Sequence, residues 1–272
     1  MHLAHGYKSS YFFLITFLIT GISWFTAAYC SYQKGMADLQ LFSMLLGLLG
    51  PCIAMLFMFA GKKNKALRKD FYARLHVQPI KLRYLSVLLL LMPCVLFLAT
   101  TISLLFGQPI TQFCLTLGHT AMDGQGLSSL LIIFLAPTIE EIAWRGYGVD
   151  SLRSKFSLWN TTILFASLWA LWHVPLFFIN GYYQHTLWHT SIVSVVNFFI
   201  SILPAAILIN WMYYKNNRNI LVAILLHFMF DFFSILFQTE QFTKWIVTIL
   251  LLIVSLVVIL KNKEFFFNKG LL

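Results

Sequence analysis

Residues 84–106, YLSVLLLLMPCVLFLATTISLLF, run for 23 positions without one charged side chain. A helix that crosses a bilayer takes about 20 consecutive apolar residues, since 1.5 Å of rise per residue has to cover a hydrocarbon core roughly 30 Å thick. Inside that core no water is available to the backbone, so each N–H and C=O must be satisfied within the segment, as a helix does. Immediately before the run, between Gly61 and Arg83, stand Lys62, Lys63, Lys65, Arg68, Lys69, Arg74, Lys81 and Arg83. Short loops this basic stay on the cytoplasmic side, so run and loop together predict both the element and its orientation.

The same signal recurs along the whole chain. Apolar windows near 10–30, 40–60, 127–149, 157–179, 190–214, 220–237 and 245–260 join 84–106 to predict an all-α, polytopic integral membrane protein with about eight transmembrane helices. The composition agrees, with 60% hydrophobic and 10% charged residues and a mean hydropathy of +0.80, and it excludes a water-soluble fold. No stretch is left over for a soluble domain, so residues 1–272 are expected to form a single membrane-embedded domain with the lipid bilayer as its partner.

An even number of spans places both termini inside. Sixteen of the 19 Lys and Arg residues then fall on the inner side, only Lys34 and Lys244 lie outside, and Arg145 sits apart within a helix. The net charge of +10 is thus explained by topology, and nucleic acid is not an expected partner. Cys30, Cys52, Cys94 and Cys114 are scattered, without CxxC spacing, and read as small apolar residues. The 61–83 segment is either an interfacial amphipathic helix or an ordinary loop, and 107–126 offers only turn chemistry.

Ionisable side chains inside a span cost roughly 2.5–3.5 kcal/mol each on insertion scales, so those present face a protein interior or a wet cavity. Three spans carry them. The fourth reads Ala136-Pro137-Thr138-Ile139-Glu140-Glu141-Ile142-Ala143-Trp144-Arg145, the fifth Trp169-Ala170-Leu171-Trp172-His173 before Pro175, and the seventh His227-Phe228-Met229-Phe230-Asp231. Glu141 and Arg145 are four apart and share a helix face, the spacing of a neutralising ion pair. Glu140 is about 100° round the helix from Glu141 and is left free for chemistry. His227 and Asp231 also stack on one face. His2, His5, His76, His119, His185 and His189 fall in predicted loops or termini and receive no role.

Glu140-Glu141-x-x-x-Arg145, an aromatic-x-x-x-His ending at His173, and His227-x-x-x-Asp231, in that order on successive hydrophobic helices, resemble the CPBP family of intramembrane proteins. That family includes the type II CAAX prenyl endopeptidases and bacteriocin-processing or immunity proteins, and the resemblance covers residues 127–235. Two positions depart from its pattern. Trp169 stands where the family usually has Phe, and Asp231 where the eukaryotic-type proteases often have Asn.

The resemblance implies intramembrane proteolysis by a glutamate-dependent endopeptidase without a cofactor, acting on a membrane-associated and possibly prenylated CAAX-type substrate. Glu140, helped by His173, would deprotonate a water, and His227 would donate to the developing oxyanion. Glu141, Arg145 and Trp169 would support them. An ionised Asp231 cannot donate as Asn would. It either donates as a neutral acid or fixes the tautomer and charge of His227, and the histidine one turn away favours the second. The expected setting is a bacterial or archaeal cell membrane.

Other readings start from the same residues. His173, His227 and a carboxylate make a plausible three-ligand zinc set, although the spacing is not that of an HExxH helix, and the resemblance implies metal-independent chemistry. A non-catalytic bacteriocin-immunity or scaffold protein would share the fold. A proton-coupled transporter would also use buried Glu, His and Asp.

Overall fold

The computed structural model describes residues 6–61, 64–76, 79–116 and 125–269, with side chains from 131 onward in the last stretch. His2, His5, Lys62, Lys63 and His119 lie outside the described residues. The long helices are α1 (Ser9–Cys30), α2 (Ala37–Phe59), α4 (Leu82–Leu104), α5 (Gln125–Ala143), α7 (Leu158–Trp172), α9 (Ile192–Lys215), α10 (Ile220–Leu236) and α11 (Gln241–Lys261). Shorter ones are α3 (Lys65–Leu75), α6 (Val149–Arg153), α8 (Tyr183–Thr190) and α12 (Lys263–Phe267). The chain is an all-α polytopic membrane protein. Among the described residues six helical stretches are long and apolar enough to cross a bilayer, and α10, at 17 residues, is apolar but shorter. Along α1, Leu14, Leu18, Ile22 and Phe25 are exposed, a stripe of the kind lipid covers.

The helix of the fourth predicted span, 127–149, runs on beyond that span. Past Ala143 the helix widens into one π turn, Trp144–Gly148, and continues as α6 to Arg153. With that extension Glu140 lies about 20 Å from the end of its helix at 1.5 Å per residue. His173 lies about 22 Å from the start of α7 by the same rise, so the two reach similar depth from one end of the bundle.

The fifth predicted span, 157–179, is not one helix. α7 begins after Ser157, whose Oγ accepts the Asn160 N–H. It stops at Trp172, with His173 at its C-cap, and continues as a 3₁₀ turn, Val174–Phe178, that contains Pro175. Proline lacks the N–H that the next α-helical bond needs. Residues expected to be loop before the sixth span form α8.

The amphipathic alternative for 61–83 is the one observed. α3 buries Leu67, Phe71 and Arg74 against the bundle and leaves Lys65, Lys69 and Tyr72 exposed. Its Phe71 packs so closely on the π turn that a Cβ at Gly146 would stand 2.8 Å from the ring. The expectation of plain turn chemistry for 107–126 misses Gln112. Its buried side chain accepts from Thr243 Oγ1 at 2.6 Å and from the Glu240 N–H at 2.9 Å, pinning this connection to the start of α11.

The site is enclosed by neighbours in space rather than in sequence. α5 packs against α2 and α10, α9 against α7, α10 and α11, and α4 against α10 and α11. α1 and α2 form a tight antiparallel pair through small residues. A Cβ at Gly47 would stand 2.1 Å from the Trp24 ring, and Thr20 Oγ1 donates to the Gly47 carbonyl at 2.8 Å.

Candidate active site

Glu140 and Glu141 occupy the last turn of α5, and Arg145 lies in the π turn. Trp169 and His173 end α7, and His227 and Asp231 come from the middle of α10. Glu140 is 7% exposed and faces inward: its Oε2 accepts the Trp169 indole N–H at 3.0 Å and, more weakly, that of Trp144 at 3.4 Å. Trp169 therefore supplies what a Phe at this position lacks, a donor aimed at Glu140.

The same tryptophan organises both imidazoles. His173 Nδ1 lies 2.7 Å from the Trp169 carbonyl oxygen. A carbonyl only accepts, so Nδ1 carries a proton, and in the neutral ring Nε2 keeps its lone pair. The His227 ring meets the Trp169 indole edge-on, with centroids 5.1 Å apart, and the His173 ring is 5.9 Å from the same indole.

Glu141 is fully buried and forms the expected pair with Arg145, Oε1 to Nη1, at 2.7 Å. It does more than neutralise a charge. The same Oε1 lies 2.9 Å from His227 Nδ1, so Glu141 fixes which His227 nitrogen points into the site. Asp231, expected in that role, is instead 3.7 Å from the opposite nitrogen, Nε2, at ion-pair rather than hydrogen-bond distance. One helical turn brings His227 and Asp231 to one face, but α5 crosses closer to the ring.

Arg145 has a longer chain of partners. Its Nη2 donates to Asn210 Oδ1 at 3.1 Å, and Asn210 Nδ2 donates to Thr162 Oγ1 at 3.0 Å. Its guanidinium also lies over the Phe165 ring at 4.8 Å. Asn210 was missed from sequence, although a buried amide amid apolar residues of α9 is the signal that exposes it. Tyr182, at the N-cap of α8, has its phenol pKa pushed up by burial first and then by the Glu140 and Asp231 carboxylates.

Outside the spans a second polar cluster holds the π turn. Arg74, 4% exposed, donates to the carbonyls of Arg145 and Gly146 at 2.7 and 3.0 Å and pairs with Asp150 at 2.8 Å. Arg218 forks onto Asp70 at 2.8 and 2.9 Å and also reaches Asp150. Burial alone would raise the Asp150 pKa, but Arg74 and Arg218 outweigh it and hold the carboxyl below its ordinary range. Sequence reasoning took Arg74 only as a marker of orientation.

Among the described residues no three His, Cys, Asp or Glu side chains stand together as a set of metal ligands. What the three helices do assemble is a sequestered carboxylate, an imidazole held through its Nδ1–H and a second imidazole held by a carboxylate.

Such a cluster inside a helical membrane bundle is a candidate hydrolytic centre. The family described as "Type II CAAX prenyl endopeptidase Rce1-like" matches residues 123–233. A relative from Methanococcus maripaludis, named "CAAX prenyl protease 2", is 40% identical over 98% of either chain. The chain belongs to the type II CAAX prenyl endopeptidase family, a family of intramembrane proteases.

Proposed function

We propose that the chain is a glutamate-dependent intramembrane endopeptidase that cuts a prenylated, CAAX-type peptide, with 127–235 as the catalytic core of a single membrane-embedded domain. Its setting is a bacterial or archaeal cell membrane, with both termini cytoplasmic, and its chemistry uses no metal. The observation that carries this reading is the division of labour around Trp169: its indole N–H holds Glu140 and its carbonyl accepts from His173 Nδ1–H, which leaves Nε2 of the neutral ring as an acceptor.

A water donating to His173 Nε2 and Glu140 would lose a proton to Glu140 as its oxygen attacks the scissile carbonyl carbon. General-base catalysis of this kind contributes about 10²–10⁴-fold. His227, with Nδ1–H spent on Glu141, turns Nε2 toward the reacting carbonyl. As an imidazolium it donates there to the oxyanion, a contribution of about 2.7–4 kcal/mol where such donors have been removed elsewhere. Glu140 then passes its proton to the leaving amine nitrogen as the C–N bond breaks. Asp231, on the Nε2 side of His227, supports that charge.

The test is cleavage by purified protein in lipid nanodiscs, given matched farnesylated and unmodified CAAX peptides with and without a metal chelator. We expect cleavage of the farnesylated peptide, little of the unmodified one, and no loss under chelation. Equal cleavage of both peptides removes the prenyl claim, loss under chelation removes the metal-free claim, and cleavage of neither removes the enzyme.

A further inference from the structure

α8 lies at the end of the bundle away from the Arg74 cluster, where the α1–α2 turn also lies. His185 and His189 are four apart on it, and their Nε2 atoms stand 3.1 Å from each other. The phenol oxygen of Tyr32, on the α1–α2 turn, is 3.0 Å from the same His185 Nε2. Two polar atoms thus converge on one nitrogen, so that three stand together. A neutral imidazole nitrogen carries either one proton or one lone pair, so His185 Nε2 can complete one of these contacts but not both. A shared cation satisfies all three atoms at once.

The spacing suits one. With metal–nitrogen bonds of about 2.0–2.1 Å, two nitrogens on one ion stand about 2.9 Å apart at a right angle and about 3.3 Å apart at the tetrahedral angle. The observed separation falls between those values. Two histidines at i, i+4 are also the chelating pair of zinc-binding helices.

The third atom is placed by the fold. Ser31 Oγ accepts the Asn180 N–H at 3.0 Å, so the turn that carries Tyr32 is tied to the segment leading into α8. His189 and Tyr32 are exposed, which leaves room for water to complete the coordination. Lys244 packs on Tyr183 at 3.4 Å, about 200° round the helix from His185, and so does not face the pair.

We infer that His185 and His189, with Tyr32 beside them, form a binding site for a divalent transition-metal ion, of the imidazole-seeking class that includes Zn²⁺, Ni²⁺ and Cu²⁺. The site shares no residue with the Glu140 centre, and a bound ion would join the α1–α2 turn to the helix that follows His173.

The test uses the full-length, untagged protein in detergent with Zn²⁺ or Ni²⁺ alone, read by calorimetry and by the unfolding midpoint. One ion per chain is expected, with a midpoint that rises with metal concentration. His189→Ala should weaken binding at least tenfold and abolish the midpoint rise, Tyr32→Phe should weaken it several-fold, and His173→Ala should leave it unchanged. The double variant His185→Ala/His189→Ala should keep peptide cleavage. No binding by the wild type, unchanged binding in His189→Ala, or loss in His173→Ala overturns the inference.

Discussion

Trp169 shows how one side chain sets the chemistry of its neighbours. Its indole is a donor to Glu140, and hydrogen bonds to charged groups contribute about 1.5–3 kcal/mol. Trp169→Phe keeps an aromatic ring at this position but removes the indole N–H along with the pyrrole ring, so kcat should fall about tenfold or more while KM stays close to wild type. Glu141 is the more fragile residue, since one oxygen serves both Arg145 and His227. Glu141→Gln leaves Arg145 as a buried charge without its counter-ion, a defect of about 3–5 kcal/mol. Its unfolding midpoint in detergent should drop sharply, together with activity. Most of this site is legible in the sequence, because ionisable groups in apolar helices have few explanations. Glu141's second partner is not, because i, i+4 spacing names the neighbour on its own helix and says nothing of the helix that crosses it.

The decisive element is the π turn at Trp144–Gly148. π turns leave carbonyls outside the regular ladder, and here Arg74 from α3 satisfies two of them. Asp150→Asn would leave Arg74 and Arg218 short of a counter-charge and should lower stability by about 3–5 kcal/mol, read by chemical unfolding in detergent. The pH dependence has a definite sign. The Asp150 pKa is held below its ordinary value, so its contribution is present at neutral pH and is lost as pH falls below about 4. Wild type should lose this increment on acidification, and Asp150→Asn should not. The α1–α2 pair gives a second check: Gly47→Ala drives a methyl group into the Trp24 ring and should cost about 1–3 kcal/mol as overpacking does. Neither contact is visible in sequence, where Arg74 is one of many basic residues in its loop and Gly47 one of many small residues in a span.

The whole molecule follows from hydropathy. Every predicted apolar window contains a long helix, with the fifth ending early at Trp172 and the fourth prolonged to Arg153. Period and length fix where helices lie, but a π turn and a 3₁₀ ending depend on what packs against them. Orientation is testable in intact cells with single cysteines in a background lacking the native four. Lys34→Cys should react with a membrane-impermeant maleimide and Lys69→Cys should not, and the reverse pattern would invert the proposed topology.

The central claim is that Glu140 takes the proton from the attacking water. The most direct measurement is the steady-state cleavage rate of Glu140→Gln in nanodiscs, with the unfolding midpoint recorded on the same sample. A fall of about 10²–10⁴-fold at an unchanged midpoint is the predicted result. A folded variant that cleaves within about threefold of wild type would leave no role for Glu140 as the base.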